Sequence, residues 1–355
     1  MKKYKFFKNK KILITGYNGF KGSWLSIWLN LLGAKVVGIS LYENNKNNHF
    51  NLVKKKLKFK IYNCDVRNKK KITNIIFKEK PDFTFHLAAQ SLVYKSILDT
   101  SFNWETNVIG LLNILEALNK LDKKNIGIII TSDKCYKNLE QKKGYKETDI
   151  LGGIDPYSAS KASAEILFHS YYKTFIKDKN KNLRVCTARA GNVIGGGDWS
   201  KNRLIPDCMK MWLKNKKPQI RNPNSTRPWQ HVLEALSGYL DLSIRLYKDQ
   251  SLNGQSFNFS SNKINNVTVI QFLKQIKKKW PEINWNVKTN NKFYESSLLQ
   301  LDCSKAKKIL KWSARLDLDE TIEFVVDWYK NYKTNKKNIL QVSIEQINHY
   351  MKKKI

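Results

Sequence analysis

The chain reads as an α/β protein, a Rossmann-type doubly wound parallel sheet followed by a smaller α/β C-terminal lobe. Three observations predict this. Short apolar, β-branched runs alternate with helical patterns up to about residue 190, the signature of parallel strands joined by crossover helices. A glycine loop, Gly16-Tyr17-Asn18-Gly19-Phe20-Lys21-Gly22, lies between the first such run and the first helical pattern. The length, 355 residues, suits two domains or one large one. The expected division is a dinucleotide-binding part over 1–190, with later segments returning to it at about 230–262. Residues 191–355 then mainly form the substrate-binding lobe.

The elements follow in order. Lys11 to Thr15 reads as a short buried strand, and Phe20 to Leu32 as an apolar helix stopped by Gly33 at its C-terminus. Lys35 to Ile39 and Leu57 to Tyr62 are strands, Asn68 to Phe77 is a helix, and Asp82 to Leu87 is a strand opened by Pro81. Thr100 to Leu121 has helical periodicity through Trp104, Val108, Leu111, Leu112 and Leu115. Ile126 to Thr131 is a β-branched strand. Tyr157 to Phe175 is a helix with Pro156 suited to its first turn, and Leu183 to Ala188 is a strand. Beyond 190 the pattern is irregular, with Gly195-Gly196-Gly197 and Asn222-Pro223-Asn224, and it reads as a loop-rich lobe.

Composition narrows the function classes. No apolar run reaches the eighteen or so residues of a membrane span. The basic N-terminus lacks the apolar core of a signal peptide. The cysteines Cys64, Cys135, Cys186, Cys208 and Cys303 are widely spaced without a C-x-x-C pair, so neither a metal site nor a disulfide framework is expected, and a reducing cytoplasm fits. The net charge of +36 taken alone suggests a nucleic-acid partner. The lysines are spread along the whole chain instead, as expected of a solvated surface, and no nucleic-acid partner is predicted.

The glycine loop has the context of a dinucleotide site. Glycines allow a tight turn and close approach to a pyrophosphate, and the helix N-terminus presents free N–H groups to that anion. Gly16, Asn18, Gly19, Phe20, Lys21 and Gly22 are therefore the candidate contacts. The acid expected on the adenosine ribose is not at the second strand's tip. Glu43, 21 residues after Gly22, is near the usual offset. No arginine stands there for a 2′-phosphate, so NAD is favoured over NADP. Asp65 is a candidate acceptor for the adenine amine, with a turn aspartate as the plain alternative.

Tyr157 and Lys161 are four residues apart and share a helix face. A phenol is a weak base near neutrality, and a neighbouring ammonium lowers its pKa. Tyr157 can then take the proton of a sugar hydroxyl while hydride leaves the same carbon. Ser132 fits a hydroxyl that binds the reacting oxygen. Asp133 and Lys134 add an acid and a base, which a simple dehydrogenase does not need. Next to a ketone they suit β-elimination of water, provided that Asp133 is raised and Lys134 lowered in pKa.

The glycine loop, Leu87-Ala88-Ala89-Gln90, Asn107, Ser132 and Tyr157-x-x-x-Lys161 together resemble the extended short-chain dehydrogenase/reductase family. Within it, GFKGSWLS (19–26), TSDKCYKN (131–138), LGGIDPYSASKASAE (151–165), ARAGNVIGGGDW (188–199), RLIPDC (203–208) and RNPNSTRPWQHV (221–232) resemble its CDP-glucose 4,6-dehydratase branch. The resemblance implies NAD as cofactor, with Val66, Leu87, Ala88 and Ala89 beside it along with Asp65, Tyr157 and Lys161. It implies CDP-glucose as substrate, oxidised at C4, dehydrated across C5 and C6 by Lys134 and Asp133, and reduced at C6. It places Gln90, Asn192, Arg203, Leu204, Arg221, Arg227 and His231 at the sugar nucleotide, with Trp229 or Trp199 on cytosine. It also implies a homodimer through the helices at 100–121 and 157–175. A UDP-N-acetylhexosamine dehydratase and a basic RNA-binding protein on a nucleotide fold remain the alternatives.

Overall fold

The computed structural model describes residues 2–43, 45–141, 143–226, 228–261, 267–288 and 299–353. Among them, β1 (Lys11–Thr15), α1 (Phe20–Leu31), β2 (Lys35–Ser40), β3 (Phe59–Asn63), α2 (Lys69–Glu79) and β4 (Phe83–His86) follow in order. A helix begins at Thr100–Trp104, passes through a π-turn at Glu105–Ile109 and continues as α3 (Gly110–Asn119). Then come β5 (Asn125–Ile130), α4 (Pro156–Tyr171) and β6 (Leu183–Ala190). All of the strands and helices expected up to residue 190 are present.

The seven-stranded sheet has the order β7-β6-β5-β4-β1-β2-β3, where β7 is Ser256–Phe259, and every pairing is parallel. The direction of winding reverses between β1 and β4. In such sheets the ligand crevice opens at the carboxyl ends of the strands on either side of that point. The inner strands are covered on both faces, so every residue of β4 and β5 is buried, the polar Thr84, His86 and Asn125 included.

One face is packed by Leu111, Ile114 and Leu115 of α3 and by Phe168 of α4 against Leu13, Ile129 and Val185. The other face buries Trp24 and Trp28 of α1 together with the chain's last third. That third is more helical than its sequence suggests: α5 (Leu204–Trp212), α6 (Val232–Lys248), α7 (Val269–Lys279), α8 (Leu318–Thr334) and α9 (Ile339–Lys352). Lysine-rich outer faces hide the apolar stripes. In α7, for example, Phe272, Leu273 and Ile276 are buried beside the run Lys277-Lys278-Lys279.

Glu234 on α6 fastens this end. Its carboxylate accepts the Arg315 and Leu316 N–H groups at 2.8 and 2.7 Å and the Tyr350 hydroxyl at 2.6 Å. Each buried donor left unpaired costs about 1–3 kcal/mol. Glu234→Ala should therefore lower stability by about 2–5 kcal/mol in urea unfolding, and Glu234→Gln by less.

Candidate active site

The nucleotide loop packs directly on the exit of β4. Gly16 has φ 71°, and a Cβ there would lie 2.8 Å from the Ala88 nitrogen, so glycine is required. A Cβ on Gly22 would collide with the Gly16 carbonyl oxygen. The loop thus closes tightly enough to present the first-turn N–H groups of α1, which have no intrahelical acceptors. Asn18 ties the loop to the tip of β2: its amide donates to Leu41 O at 2.8 Å and accepts from Ser40 Oγ at 2.6 Å. Leu87 and Ala88 donate their N–H groups to Thr15 O and Oγ1, each at 3.1 Å.

Asp65 receives the Arg67 N–H at 2.9 Å and its guanidinium at 2.8 Å, and Arg67 also meets Glu105. The aspartate is thus oriented by a neighbour. Val66 is buried beneath the start of α3 against Gly110. Glu43 is exposed and accepts the Asn45 N–H at 2.9 Å, which caps its own loop.

The reacting groups gather past the end of β5. Ser132 donates to Asp133 Oδ1 at 2.9 Å, and its oxygen accepts the Lys134 N–H at 3.3 Å. Both arise because Ser132 caps the short helical turn Asp133–Cys135. Burial raises the Asp133 carboxyl, with Lys134, the Ser132 hydrogen bond and Lys21 pulling the other way. The Lys134 side chain is half-buried.

Helix α4 brings Tyr157 and Lys161 to the same place. Asp155 caps its N-terminus through the Ser158 N–H at 3.0 Å, with Pro156 in the first turn. Burial lowers the Lys161 amine to about 8, against the pull of Glu165 and Cys135. The Tyr157 phenol is raised by burial, while Ser132 and Arg203 draw it down.

Beneath these residues lies the arrangement that aligns them. The Glu165 carboxylate, fully buried, accepts Thr131 Oγ1 at 2.5 Å, Thr187 Oγ1 at 2.9 Å, Arg189 at 2.7 Å and Ser256 Oγ at 3.2 Å. These partners belong to the exit of β5, to β6 and to β7. Burial alone would raise the Glu165 carboxyl, but Arg189 and the hydroxyls hold it below the usual range. Asn107, in the π-turn, links α4 to the exit of β4 through Ser160 Oγ at 2.9 Å and Gln90 O at 3.0 Å.

The substrate candidates divide. Arg203 borders the site, joined to Asp198 Oδ2 at 3.5 Å and Ser91 O at 3.1 Å, with Leu204 opening α5 beside it. The Gln90 amide bonds Leu92 through both its ends and also meets Asn103. Asn192 is half-buried, its carbonyl accepting the Gln230 N–H at 3.1 Å, and Arg221 is exposed. His231 is packed between Trp24 and Phe324, and burial lowers its ring to about 3. Trp229 stacks on Phe272, and Trp199 lies among Trp328, Tyr329 and Tyr332. Arg227 lies outside the described residues.

Two participants, Tyr239 and Asp198, escaped the sequence reading, which had Lys21 only as a cofactor contact. Lys21 reaches inward to the Tyr239 hydroxyl at 3.4 Å, and burial lowers its amine to about 8, with Arg203 adding to this and Asp133 opposing. Tyr239 is fully buried on α6 and feels both Asp133 and Tyr157. Nothing in the sequence separates it from Tyr247, the other aromatic residue of that helix. Asp198 stood in the glycine-rich 188–199 string, and its acidic residue beside Trp199 was the available signal.

Fold and site together are those of a short-chain-type enzyme, with Ser132, Asp133, Tyr157 and Lys161 brought together beyond the central strands. The chain belongs to the GDP-mannose 4,6 dehydratase family, whose sequence model matches residues 13–325. It is 38% identical over 350 residues to the CDP-glucose 4,6-dehydratase of Salmonella typhimurium, covering 98% of this chain and 97% of that protein. An epimerase structure from Methanothermobacter thermautotrophicus superposes with a TM-score of 0.81 at 20% identity, covering 95% of this chain and 97% of the other. The dTDP-glucose 4,6-dehydratase of Bacillus anthracis, solved in complex with NAD, gives 0.73 at 22% identity, covering 91% and 97%. No helix among the described residues is long and apolar enough to cross a membrane.

Breaking one side of a buried ion pair costs about 3–5 kcal/mol. Glu165→Ala should be destabilised by that much in denaturant unfolding. Activity in the folded fraction should also fall, because α4 loses its register on the sheet.

Proposed function

We propose that this protein dehydrates CDP-glucose to CDP-4-keto-6-deoxyglucose in a redox-neutral, NAD-dependent cycle. The observation that carries this reading is the buried junction of Ser132 and Asp133 with Tyr157 and Lys161. An oxidising pair alone fits many activities, whereas an acid beside it serves elimination. The relationship to a CDP-glucose 4,6-dehydratase over nearly the whole length favours CDP-glucose over a UDP-sugar.

The residues suit NAD. The loop's glycines let it close against Ala88 and its own backbone, leaving first-turn N–H groups of α1 for a pyrophosphate; Asp65 and Val66 flank the adenine side, and Leu87, Ala88 and Ala89 line the β4 exit. NAD, when bound, supplies the hydride acceptor at C4 and the donor at C6. Tyr157 takes the C4 hydroxyl proton with Ser132 on the same oxygen, and Lys161 steadies the nicotinamide ribose. Lys134 takes the C5 proton, and Asp133, whose carboxyl burial raises, gives a proton to the departing 6-hydroxyl. Arg203 and Arg221 meet the diphosphate by forked hydrogen bonds. Residues 191–355 mainly form the substrate lobe. The five cysteines are free, in keeping with a reducing cytoplasm.

The protein acts as a homodimer through α3 and α4. Their outer faces form a groove lined by Leu112, Leu167, Tyr171 and Phe175 together with the polar Glu116, Asn119, Lys120 and Ser170, and flanked by exposed Ile109 and Ile166. A patch of this kind on neighbouring helices calls for a partner.

CDP-glucose with the protein and NAD should give a product lighter by one water in mass spectrometry. Product from a UDP-sugar but none from CDP-glucose would sink the substrate assignment. Tyr157→Phe should lose about 10²–10⁴-fold in kcat, whereas Asp133→Asn should still reduce NAD, seen as NADH absorbance, without releasing water. Leu167→Glu should convert a dimer to a monomer in sedimentation; an unchanged mass would place the interface elsewhere.

A further inference from the structure

One buried ion pair holds the acid–base turn at both of its ends. The turn Asp133–Cys135 follows Thr131 and Ser132 and leads into Tyr136. Before it, Thr131 Oγ1 donates to Glu165 at 2.5 Å. After it, the Tyr136 hydroxyl oxygen accepts Arg189 Nη1 at 2.7 Å. Glu165 and Arg189 are themselves joined at 2.7 Å. Glu165 lies on α4, one turn beyond Lys161. The pair therefore refers both the turn and the oxidising helix to a single fixed point. The turn also meets the chain at 150–152, where Cys135 O accepts the Gly152 N–H at 2.9 Å. That stretch runs along the surface, with Ile150 and Ile154 exposed, and is the weaker hold.

The neighbours of Tyr136 fix the direction of its bonds. Asn258 of β7, fully buried, sends its amide N–H bonds to Tyr145 O at 2.8 Å and Asp302 O at 3.2 Å. Its Oδ1 then faces Tyr136, which donates its hydroxyl proton there at 2.8 Å. Burial pushes the Tyr136 phenol up, so that proton stays in place. A lone pair is left for Arg189. The four terminal N–H bonds of Arg189 are all taken, from Nη1 by Tyr136 and by Glu147 O at 3.2 Å, and from Nη2 by Glu165 and by Ser256 Oγ at 3.1 Å. The Tyr136 ring stacks on Tyr145, with centroids 5.2 Å apart, and the Arg189 guanidinium lies 4.9 Å from its centre. Removing the hydroxyl would leave an arginine N–H and an amide oxygen unpaired away from water.

We propose that Tyr136 is a positioning residue for the elimination step. Its hydroxyl ties the turn bearing Asp133 and Lys134 to Arg189, and so keeps acid and base in place against the sugar that Tyr157 and Lys161 oxidise. The role rests on the dehydratase reading and adds a residue to it. The hydroxyl is engaged by Arg189 and Asn258, so Tyr136 acts through the backbone of the turn, where Asp133 O accepts the Tyr136 N–H at 3.3 Å. The oxidising pair is held separately, by the capped helix α4. Loss of the hydroxyl therefore falls on elimination rather than on oxidation.

Stopped-flow NADH absorbance and product formation from CDP-glucose test this on Tyr136→Phe, which keeps the ring and removes only the oxygen. NAD should be reduced at the parent rate, while product forms up to about 10²-fold more slowly. NADH should then build up to a level that the parent protein does not reach. KM for CDP-glucose should stay near the parent value while kcat falls. Tyr145→Phe is the control. It takes a hydroxyl from the other ring of the stack, one that meets Asn138 and Leu139 rather than Arg189, and it should show no NADH build-up. Equal slowing of NAD reduction and product formation in Tyr136→Phe would mean that only general packing was lost, and would overturn the role. So would the same build-up in Tyr145→Phe. Should Tyr136→Phe not fold, Asn258→Ala loosens the other end of the link; NADH must build up there too, and its absence would overturn the proposal. A parent protein that forms no product would remove the dehydratase reading and the role with it.

Discussion

The site depends on one buried carboxylate that takes no part in the chemistry. Glu165 joins α4 to three adjacent strand ends through Thr131, Thr187, Arg189 and Ser256. Tyr157 and Lys161 sit on that helix, while Ser132 and Asp133 follow directly from Thr131. A shift of α4 by part of a turn would separate the oxidising pair from the acid. A carboxylate with four partners, one of them a charged guanidinium, resists such a shift because every partner would be left unsatisfied away from water. Arg189 is itself nearly inaccessible and lies over the Tyr136 ring, so the charge is enclosed on both sides.

The switch of winding between β1 and β4 supplies the second half of the geometry. It opens the crevice where the glycine loop, the β4 exit and the β5 exit meet. The contact of Gly16 with the Ala88 backbone brings cofactor loop and catalytic floor together. Lys21 shows the consequence. It belongs to the nucleotide loop by sequence, yet its amine ends near Asp133 and Tyr239.

What was legible in the sequence was local or periodic. Strands such as Ile126 to Thr131 announce themselves by unbroken β-branched residues, and the first loop by its glycines. The Tyr157/Lys161 spacing and the Asp133-Lys134 dipeptide were readable because each is a local pattern of residue type and distance. Three things were not readable. The helices after residue 190 carry lysine on their outer faces, which dilutes the apolar stripe. The Glu165 clamp joins residues up to 91 positions apart, and no local pattern encodes such a contact. The burial of His231 and Trp229 depends on tertiary packing, so a string of polar and aromatic residues looked like a binding edge.

Desolvation ties these observations to the chemistry. In water a carboxyl ionises near pH 4 and a lysine stays charged to above pH 10. An acid holding its proton and an amine lacking one would then scarcely coexist at neutral pH. Burial opposes charge on both, whatever its sign. It raises Asp133 and lowers Lys21 and Lys161 to about 8, so the same exclusion of water moves the carboxyl and the amines towards one another. The gap that separates acid from base in solution is thereby narrowed from both ends. The rise of Asp133 suits the proton that the proposed elimination gives to the leaving hydroxyl. The clamp beneath α4 maintains it, because a loosened helix would admit water and restore the ordinary order.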